Sequence, residues 1–295
     1  MGELESRTPP LDGDLAMGKV TIACAQIGLR LGDAGYNRDA MIGKIRAAAA
    51  ASAALVVFPE CALTGFCHAS LEEAALGAES REGPSAERIA EACRREGVHA
   101  VYGYIEEAGG KYYNAAMLIG PGGPVAHYRK VHLPFAGVER FLTPGDQPFQ
   151  VHDLPFGTVG IGICYDVNFP ETFRVLKLLG AELIILPVNW PDGDRTADYV
   201  VNVRANENHV NIIAADRVGA ERGWRFIGRS KVVDFDGDTV AEASATGEEL
   251  LTAEVDMEKA SQNRIVNIPG EYETDRIGDR RPEFYSAITR RAEKS

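Results

Sequence analysis

The chain has 295 residues, 45% of them hydrophobic and 25% charged, and carries a formal net charge of −12. That is enough apolar material to bury a large core, and α/β domains of this length are common. The acidic balance disfavours a nucleic-acid partner, because phosphate binding depends on a basic surface. Five cysteines without paired spacing argue against a disulfide framework and for a reducing, cytoplasmic setting.

Residues 1–17 are expected to be a disordered extension: they are acidic, contain Pro9-Pro10 and do not resemble a secretory signal. Met1-Gly2-Glu3-Leu4-Glu5-Ser6 fits the loose myristoylation pattern, but an acidic start suits membrane contact poorly. A strand is predicted near Val20, then a helix from Asn37 to Ala51 and a strand at Leu55. The apolar stretch Ile45 to Phe58 is shorter than a bilayer span and divides between that helix and that strand, so no membrane segment is expected. A second helix is predicted over Ser85 to Glu96, with Ser85 as its cap, followed by strands near Ala100, Ala115, Val125 and Val159. Helices at Pro170 to Leu179 and Thr196 to Asn208 alternate with strands near Leu183, Ile212, Val232 and Leu251. Ser261 to Ser295 reads as loop-rich, and Arg290, Arg291 and Lys294 as a solvated basic end. The pattern by itself supports an α/β class and no more.

Three strings each place a reactive side chain at the end of an apolar run. In Thr158-Val159-Gly160-Ile161-Gly162-Ile163 a short buried strand stops at Cys164, and Asn168-Phe169-Pro170-Glu171 opens a helix almost at once, with Asn168 as a cap candidate. Cys164 therefore sits on a sharp strand-to-helix turn, which exposes the sulfur, presents free backbone N–H groups and lowers the thiol pKa. Taken alone it reads equally as a small buried hydrophobe. Glu60 follows Leu55-Val56-Val57-Phe58-Pro59, where a partly buried carboxyl would titrate nearer neutrality and could move protons; alone it reads as a solvated loop acid. Lys130 ends Pro124-Val125-Ala126-His127-Tyr128-Arg129, and beside a thiol it would favour the thiolate and stabilise an oxyanion; alone it is an ordinary edge-strand lysine. An acid, an amine and a thiol make a catalytic set for acyl transfer.

In these surroundings the set resembles the carbon–nitrogen hydrolase (nitrilase) superfamily, from the strand Val20 to Ile27 to about Val255. Supporting strings are Tyr113-Asn114-Ala115-Ala116, Lys130-Val131-His132-Leu133-Pro134, Phe141-Leu142-Thr143-Pro144-Gly145-Asp146, Arg204-Ala205-Asn206-Glu207-Asn208 and Gly228-Arg229-Ser230. Each is weak alone; in this order they form a strong signal. The resemblance implies a four-layer α-β-β-α sandwich of two mixed sheets with outer helices over residues 18–260, and a tail over 261–295 that takes part in a subunit interface of a homodimer or higher homo-oligomer. It implies Cys164 as nucleophile, Glu60 as general base and acid, Lys130 with the Tyr165 N–H as oxyanion donors, and Glu139 as a second acid that positions Lys130 and the substrate amide. A thioester intermediate follows, with no metal or cofactor required.

Tyr165-Asp166 after the cysteine resembles amidases and carbamoylases more than nitrilases, whose members typically have Trp-Glu. An amide is therefore expected as substrate, with an N-carbamoyl compound and then a nitrile as alternatives. Relatives that bind a substrate carboxylate commonly place Arg shortly after the cysteine, and here Val167 and Asn168 stand there. Arg140 or Arg217 remain as possible substitutes for that clamp. Asn168, Phe169, Asn189 and Trp190 are candidate pocket residues, with core packing the competing role for the aromatics. Asp216-Arg217 stands where many relatives have Asn-Arg. Cys61, Cys67 and His68 make a poor metal site, lacking a fourth ligand nearby. A Cys-His hydrolase finds no partner motif among the six histidines. The non-enzyme alternative, a catalytically silent binding protein, is opposed by the presence of Glu60, Lys130, Glu139 and Cys164 together.

Overall fold

A computed structural model describes residues 18–290. The extension expected over residues 1–17 lies outside the described residues, as do Arg291 and Lys294. Strands β1 (Lys19–Gln26), β2 (Leu55–Val57), β3 (His99–Ala108), β4 (Lys111–Gly120) and β5 (Gly123–Arg129) build most of one sheet. Strands β6 (Val151–Leu154), β7 (Gly157–Ile161), β8 (Leu183–Pro187) and β9 (Asn211–Ala215) build most of a second. After a small hairpin of β10 (Ala220–Glu221) and β11 (Trp224–Arg225), β12 (Lys231–Val233) and β13 (Thr239–Glu242) complete the second sheet and β14 (Glu249–Asp256) completes the first. The orders are β14-β1-β2-β3-β4-β5 and β13-β12-β9-β8-β7-β6. Both sheets are mixed, with a parallel centre: β1, β2 and β3 in one, β7, β8 and β9 in the other.

Alternation along the strands explains the layering. Leu55 and Val57 face the second sheet, while Val56 and Phe58 face outward. On β8, Leu183 and Ile185 point into the space between sheets, Ile184 and Leu186 to the other side. A strand buried on both faces has no polar side, which is why both segments read as continuous apolar runs. Outside the first sheet, α1 (Ala34–Ala50) and α3 (Pro84–Glu96) cover Val56, Phe58, Tyr102 and Ile119 with Met41, Ile45, Ile89 and Cys93. Outside the second, α4 (Pro170–Leu178) and α5 (Val201–Asn208) bring Phe173, Leu176, Val201 and Ala205. The result is the expected four-layer α-β-β-α sandwich. Two short helices, α2 (Leu71–Ala75) and α6 (Met257–Ser261), lie on connections.

Local differences from the sequence reading have local causes. Helix α1 begins three residues early because the Asp33 carboxylate accepts the Tyr36 N–H at 3.0 Å and caps it. Asn37 is inside that helix, its buried amide donating to Arg30 and Leu63 carbonyls. Ser85 does not cap α3: Gly83 holds the cap position with Pro84 behind it, and the Ser85 hydroxyl donates to Glu79. Likewise Phe169, not Asn168, occupies the cap of α4, without a side-chain bond. Residues Thr196–Val200 form a wide π turn before α5. The stretch expected to be loop-rich contains a hairpin of β15 (Arg264–Ile268) and β16 (Tyr272–Asp275). Among the described residues no helix is long and apolar enough to cross a membrane.

Candidate active site

Strands β2, β5, β7, β8 and β9 all run out toward one end of the sandwich, and the residues directly after them meet there. Glu60 leaves β2 through Pro59, and the chain can pass so close to β3 only because residue 103 is glycine. A Cβ there would lie 2.4 Å from the Cys61 nitrogen and 2.8 Å from the Glu60 Cα. Lys130 directly follows edge strand β5; its N–H donates to the Asn114 carbonyl and its own carbonyl accepts from Gly145, both at 2.8 Å. Glu139 lies in a 3-10 turn, Gly137–Phe141, folded over the same spot.

All three side chains are buried, so the solvated-loop reading of Glu60 does not hold. The Lys130 ammonium lies 2.7 Å from Glu60 Oε1 and 2.6 Å from Glu139 Oε1. Asn114 Nδ2 donates to the same two oxygens at 2.7 and 2.8 Å. Each carboxyl therefore spends one oxygen on Lys130 and Asn114 and keeps Oε2 buried without a partner. Burial works against the Lys130 charge, but the Glu139 and Glu60 carboxylates outweigh it and hold its pKa well above the ordinary lysine value. At Glu139 burial dominates over the pull of Lys130 and pushes the carboxyl up to about 7. Removing one member of such a buried set costs roughly 3–5 kcal/mol, because the partner charge is left unpaired.

Cys164 has φ of 43°, a left-handed conformation that a non-glycine residue adopts only under constraint, and it opens the 3-10 turn Cys164–Asn168. Asp166 supplies the constraint. Its buried carboxylate accepts the Ile163 N–H at 2.9 Å, the Tyr128 hydroxyl at 2.8 Å, and the His132 N–H at 3.3 Å, with His132 Nδ1 at 2.7 Å. The elbow of the second sheet is thereby tied to the Lys130 segment of the first. The first N–H groups of a helical turn have no partner within it, so those of Cys164 and Tyr165 are free to face an anion. The sequence expectation of a lowered thiol pKa is corrected: burial, then the Glu60 carboxylate, push the Cys164 thiol well above its ordinary value, outweighing Lys130 and the Asn189 N–H that faces the sulfur.

Of the candidate pocket residues, Phe169 stacks on His132 with ring centroids 3.7 Å apart, and Tyr165 meets Phe169 edge-on at 5.2 Å. Asn189 joins the halves through Nδ2, which donates to the Glu60 carbonyl at 2.9 Å. The Trp190 ring is buried among Val188, Phe173 and Ala197 in the outer core of the second sheet, and Asn168 is exposed. Of the two candidate clamps, Arg217 is closed to a substrate carboxylate, whereas Arg140 is exposed. Arg140 donates to the Gly137 carbonyl, while Arg217 is buried, paired with Glu221 and stacked over Phe226. Cys61, Cys67 and His68 do not converge: the Cys61 sulfur lies against Asn114 Oδ1, Cys67 takes Glu221 on its N–H, and His68 Nε2 lies against the Thr64 carbonyl. Asn114, Asp166, His132 and Tyr128 received no role from the sequence. The available signal for Asn114 was an amide in the middle of an apolar strand, which must find a partner.

Comparison with known proteins gives the family and the fold. The carbon–nitrogen hydrolase family model matches residues 21–265. A protein named nitrilase from Pyrococcus abyssi is 36% identical over 269 residues, covering 90% of this chain and 99% of that one. An (R)-stereoselective amidase from Pseudomonas sp. is 36% identical over 228 residues, covering 75% and 80%. Among solved structures, an amidase from Nesterenkonia sp. superposes with a TM-score of 0.77 at 24% identity, covering 92% of this chain and 97% of that one.

Proposed function

Because the chain belongs to the carbon–nitrogen hydrolase family, we propose that it hydrolyses the carbon–nitrogen bond of a small neutral amide, with Cys164 as nucleophile. The observation that carries this reading is the shared Lys130 ammonium: it fixes Glu60 and Glu139 so that each keeps a buried, unpartnered Oε2, and both carboxyls act on the Cys164 thiol. Two such acceptors suit the thiol proton and an amide N–H. Glu60 takes the proton from the Cys164 sulfur as the sulfur attacks the carbonyl carbon, which answers the raised thiol pKa. Lys130 Nζ and the Tyr165 N–H receive the oxyanion, each such donor contributing about 3 kcal/mol. The C–N bond breaks, Glu60 returns the proton to the leaving amine, and a thioester remains. Glu60 then takes a proton from water, which attacks the thioester and releases the acid, and the proton returns to the sulfur.

Support for an amide comes from relatives named for amide hydrolysis, including an omega-amidase of Xenopus tropicalis, and from the Nesterenkonia amidase, a mutant of which carries the acetamide moiety of fluoroacetamide on its active-site cysteine. Support for a neutral one comes from the pairing of Arg217 with Glu221 and from Val167 and Asn168 standing where relatives that bind a carboxylate commonly have Arg. An N-carbamoyl compound offers the same C–N bond and NH2 to the two free acceptors and is the second reading. We also propose a homo-oligomer in a reducing, cytoplasmic setting: Val175 and Leu178 of α4 are exposed in a groove shared with Ile288 of the tail, Val203 of α5 is exposed as well, and all five cysteines are free. Light scattering tests the first point.

The function is tested by an ammonia-release screen over aliphatic amides, N-carbamoyl compounds, ω-amides of dicarboxylates and nitriles. Neutral amides should have the highest kcat/KM. Preference for an ω-amide carrying a free carboxylate would overturn the neutral-substrate reading, and turnover of nitriles alone would overturn the amide.

A further inference from the structure

Asp216 is the buried acid that the scheme above leaves idle. It directly follows β9, as the Val188-Asn189-Trp190 segment directly follows β8, and the two parallel strands deliver the segments side by side, the Val188 N–H donating to the Ala215 carbonyl at 2.9 Å. Asp216 is fully buried. One carboxyl oxygen, Oδ1, accepts the Trp190 N–H at 3.2 Å and the Arg217 N–H at 2.8 Å. The other, Oδ2, is buried with no partner.

The segment that Asp216 holds is the one that touches both reacting groups. The Asn189 N–H faces the Cys164 sulfur, the Asn189 amide donates to the Glu60 carbonyl at 2.9 Å, and the Glu60 N–H donates to the Val188 carbonyl. Fixing the N–H of residue 190 fixes the peptide plane on one side of Asn189, while the plane on its other side, which carries the Asn189 N–H, is held by the Glu60 N–H through the Val188 carbonyl, so that residue 189 is clamped from both sides. No cation is free to balance a charge there: the Arg217 guanidinium is paired with Glu221, and Lys130 is held between Glu60 and Glu139.

We propose that Asp216 is a positioning residue that works as a neutral carboxylic acid, using Oδ1 to lock the Asn189-Trp190 backbone against Cys164 and Glu60. The inference rests on the proposed role of Cys164. Burial first, and the Glu60 charge in addition, favour the protonated form, and the two N–H donors with Arg217 do not offset them. Only the acceptor oxygen matters, so an amide can replace the acid.

The test compares Asp216→Asn with Asp216→Ala, reading both amide turnover and the rate of iodoacetamide alkylation of Cys164, which needs no knowledge of the substrate. Asp216→Asn should keep kcat/KM within about threefold of the parent. It should also leave the pH profile of alkylation in place, because no charge is removed near the sulfur from the set Glu60, Glu139, Lys130, Arg217 and Glu221. Asp216→Ala should lower kcat about tenfold or more with KM nearly unchanged, and slow alkylation. If Asp216→Ala does not fold, Asp216→Leu, which keeps the shape without an acceptor, takes its place. Two results would overturn the proposal: an Asp216→Asn alkylation profile displaced to lower pH, which means that a negative charge was removed, or alkylation at the parent rate in the variant without an acceptor. Loss of amide turnover in the parent with alkylation intact would instead count against the proposed reaction.

Discussion

The two sheets share an architecture yet bring different things to the site. The first supplies ionisable groups: Glu60, Lys130 and Glu139 are buried and held by one another and by Asn114. The second supplies backbone: Cys164 on a left-handed elbow, the free N–H groups after it, and the Asn189 N–H set by β8. Loss of a partner leaves a charged cluster with an uncompensated buried group and costs stability as well as activity, whereas a side-chain change at the elbow costs activity alone. That difference predicts opposite signatures for mutations on the two sides.

The largest effect is expected at Cys164. Cys164→Ala should reduce turnover by at least about 10⁴-fold while leaving the melting temperature near that of the parent, since no buried ion loses its partner. Cys164→Ser should be almost as inactive, because Glu60 then faces a hydroxyl of far higher pKa. Turnover comparable to the parent in either variant, measured with a purified amide substrate, ends the mechanism proposed here. Lys130→Ala is the contrasting case, losing on both counts. Turnover should fall at least about a hundredfold through the oxyanion, and stability should fall by roughly 3–5 kcal/mol, readable in a denaturant melt, because two carboxyls are left without their cation. If that variant melted like the parent, the cluster would not be the mutual support described here.

Gly103→Ala tests whether the charged side also depends on backbone placement. The new Cβ would lie 2.4 Å from the Cys61 nitrogen, so the Glu60 loop must shift, and a fall in kcat of about tenfold or more is expected without any functional group being removed. Glu139→Gln gives a smaller and pH-dependent effect. A carboxyl raised from 4.5 to about 7 binds its proton more tightly in the folded chain, so its contribution is full below 4.5 and is lost as pH rises through about 7. The melting temperature of the parent relative to Glu139→Gln should therefore drop between about pH 5 and about pH 8, and a constant difference would count against the raised pKa. The smallest expected effect is none: dialysis against EDTA should leave activity unchanged, because the protein supplies nucleophile, base and oxyanion donors itself. Recovery of a lost activity with zinc would reopen Cys61, Cys67 and His68.

Glu60 and Cys164 were legible because each ends a run buried on both faces, which has no polar side to confuse the reading. Lys130 ends a half-exposed edge strand and Glu139 lies in a turn, so Lys130 was singled out by its place in the set and Glu139 only by the family resemblance, while the alternation of strands and helices supported the α/β class. The caps at Ser85 and Asn168 were misread because composition shows which residues can cap, whereas the competing partner, Glu79 for Ser85, is set by the fold. The roles of Asn114 and Asp166 were not legible: each bridges segments far apart in sequence, Glu60 to Glu139 in one case, Ile163 to His132 in the other.

By itself the sequence determined the order of elements, the reactive groups and the family they resemble, since these depend on local pattern and residue identity. Only the tertiary structure decided that Arg217 is spent on Glu221, that the Cys164 thiol is raised rather than lowered, and that Trp190 is core. Each of these is a competition between burial and partners, and both terms exist only once the two sheets have closed on each other.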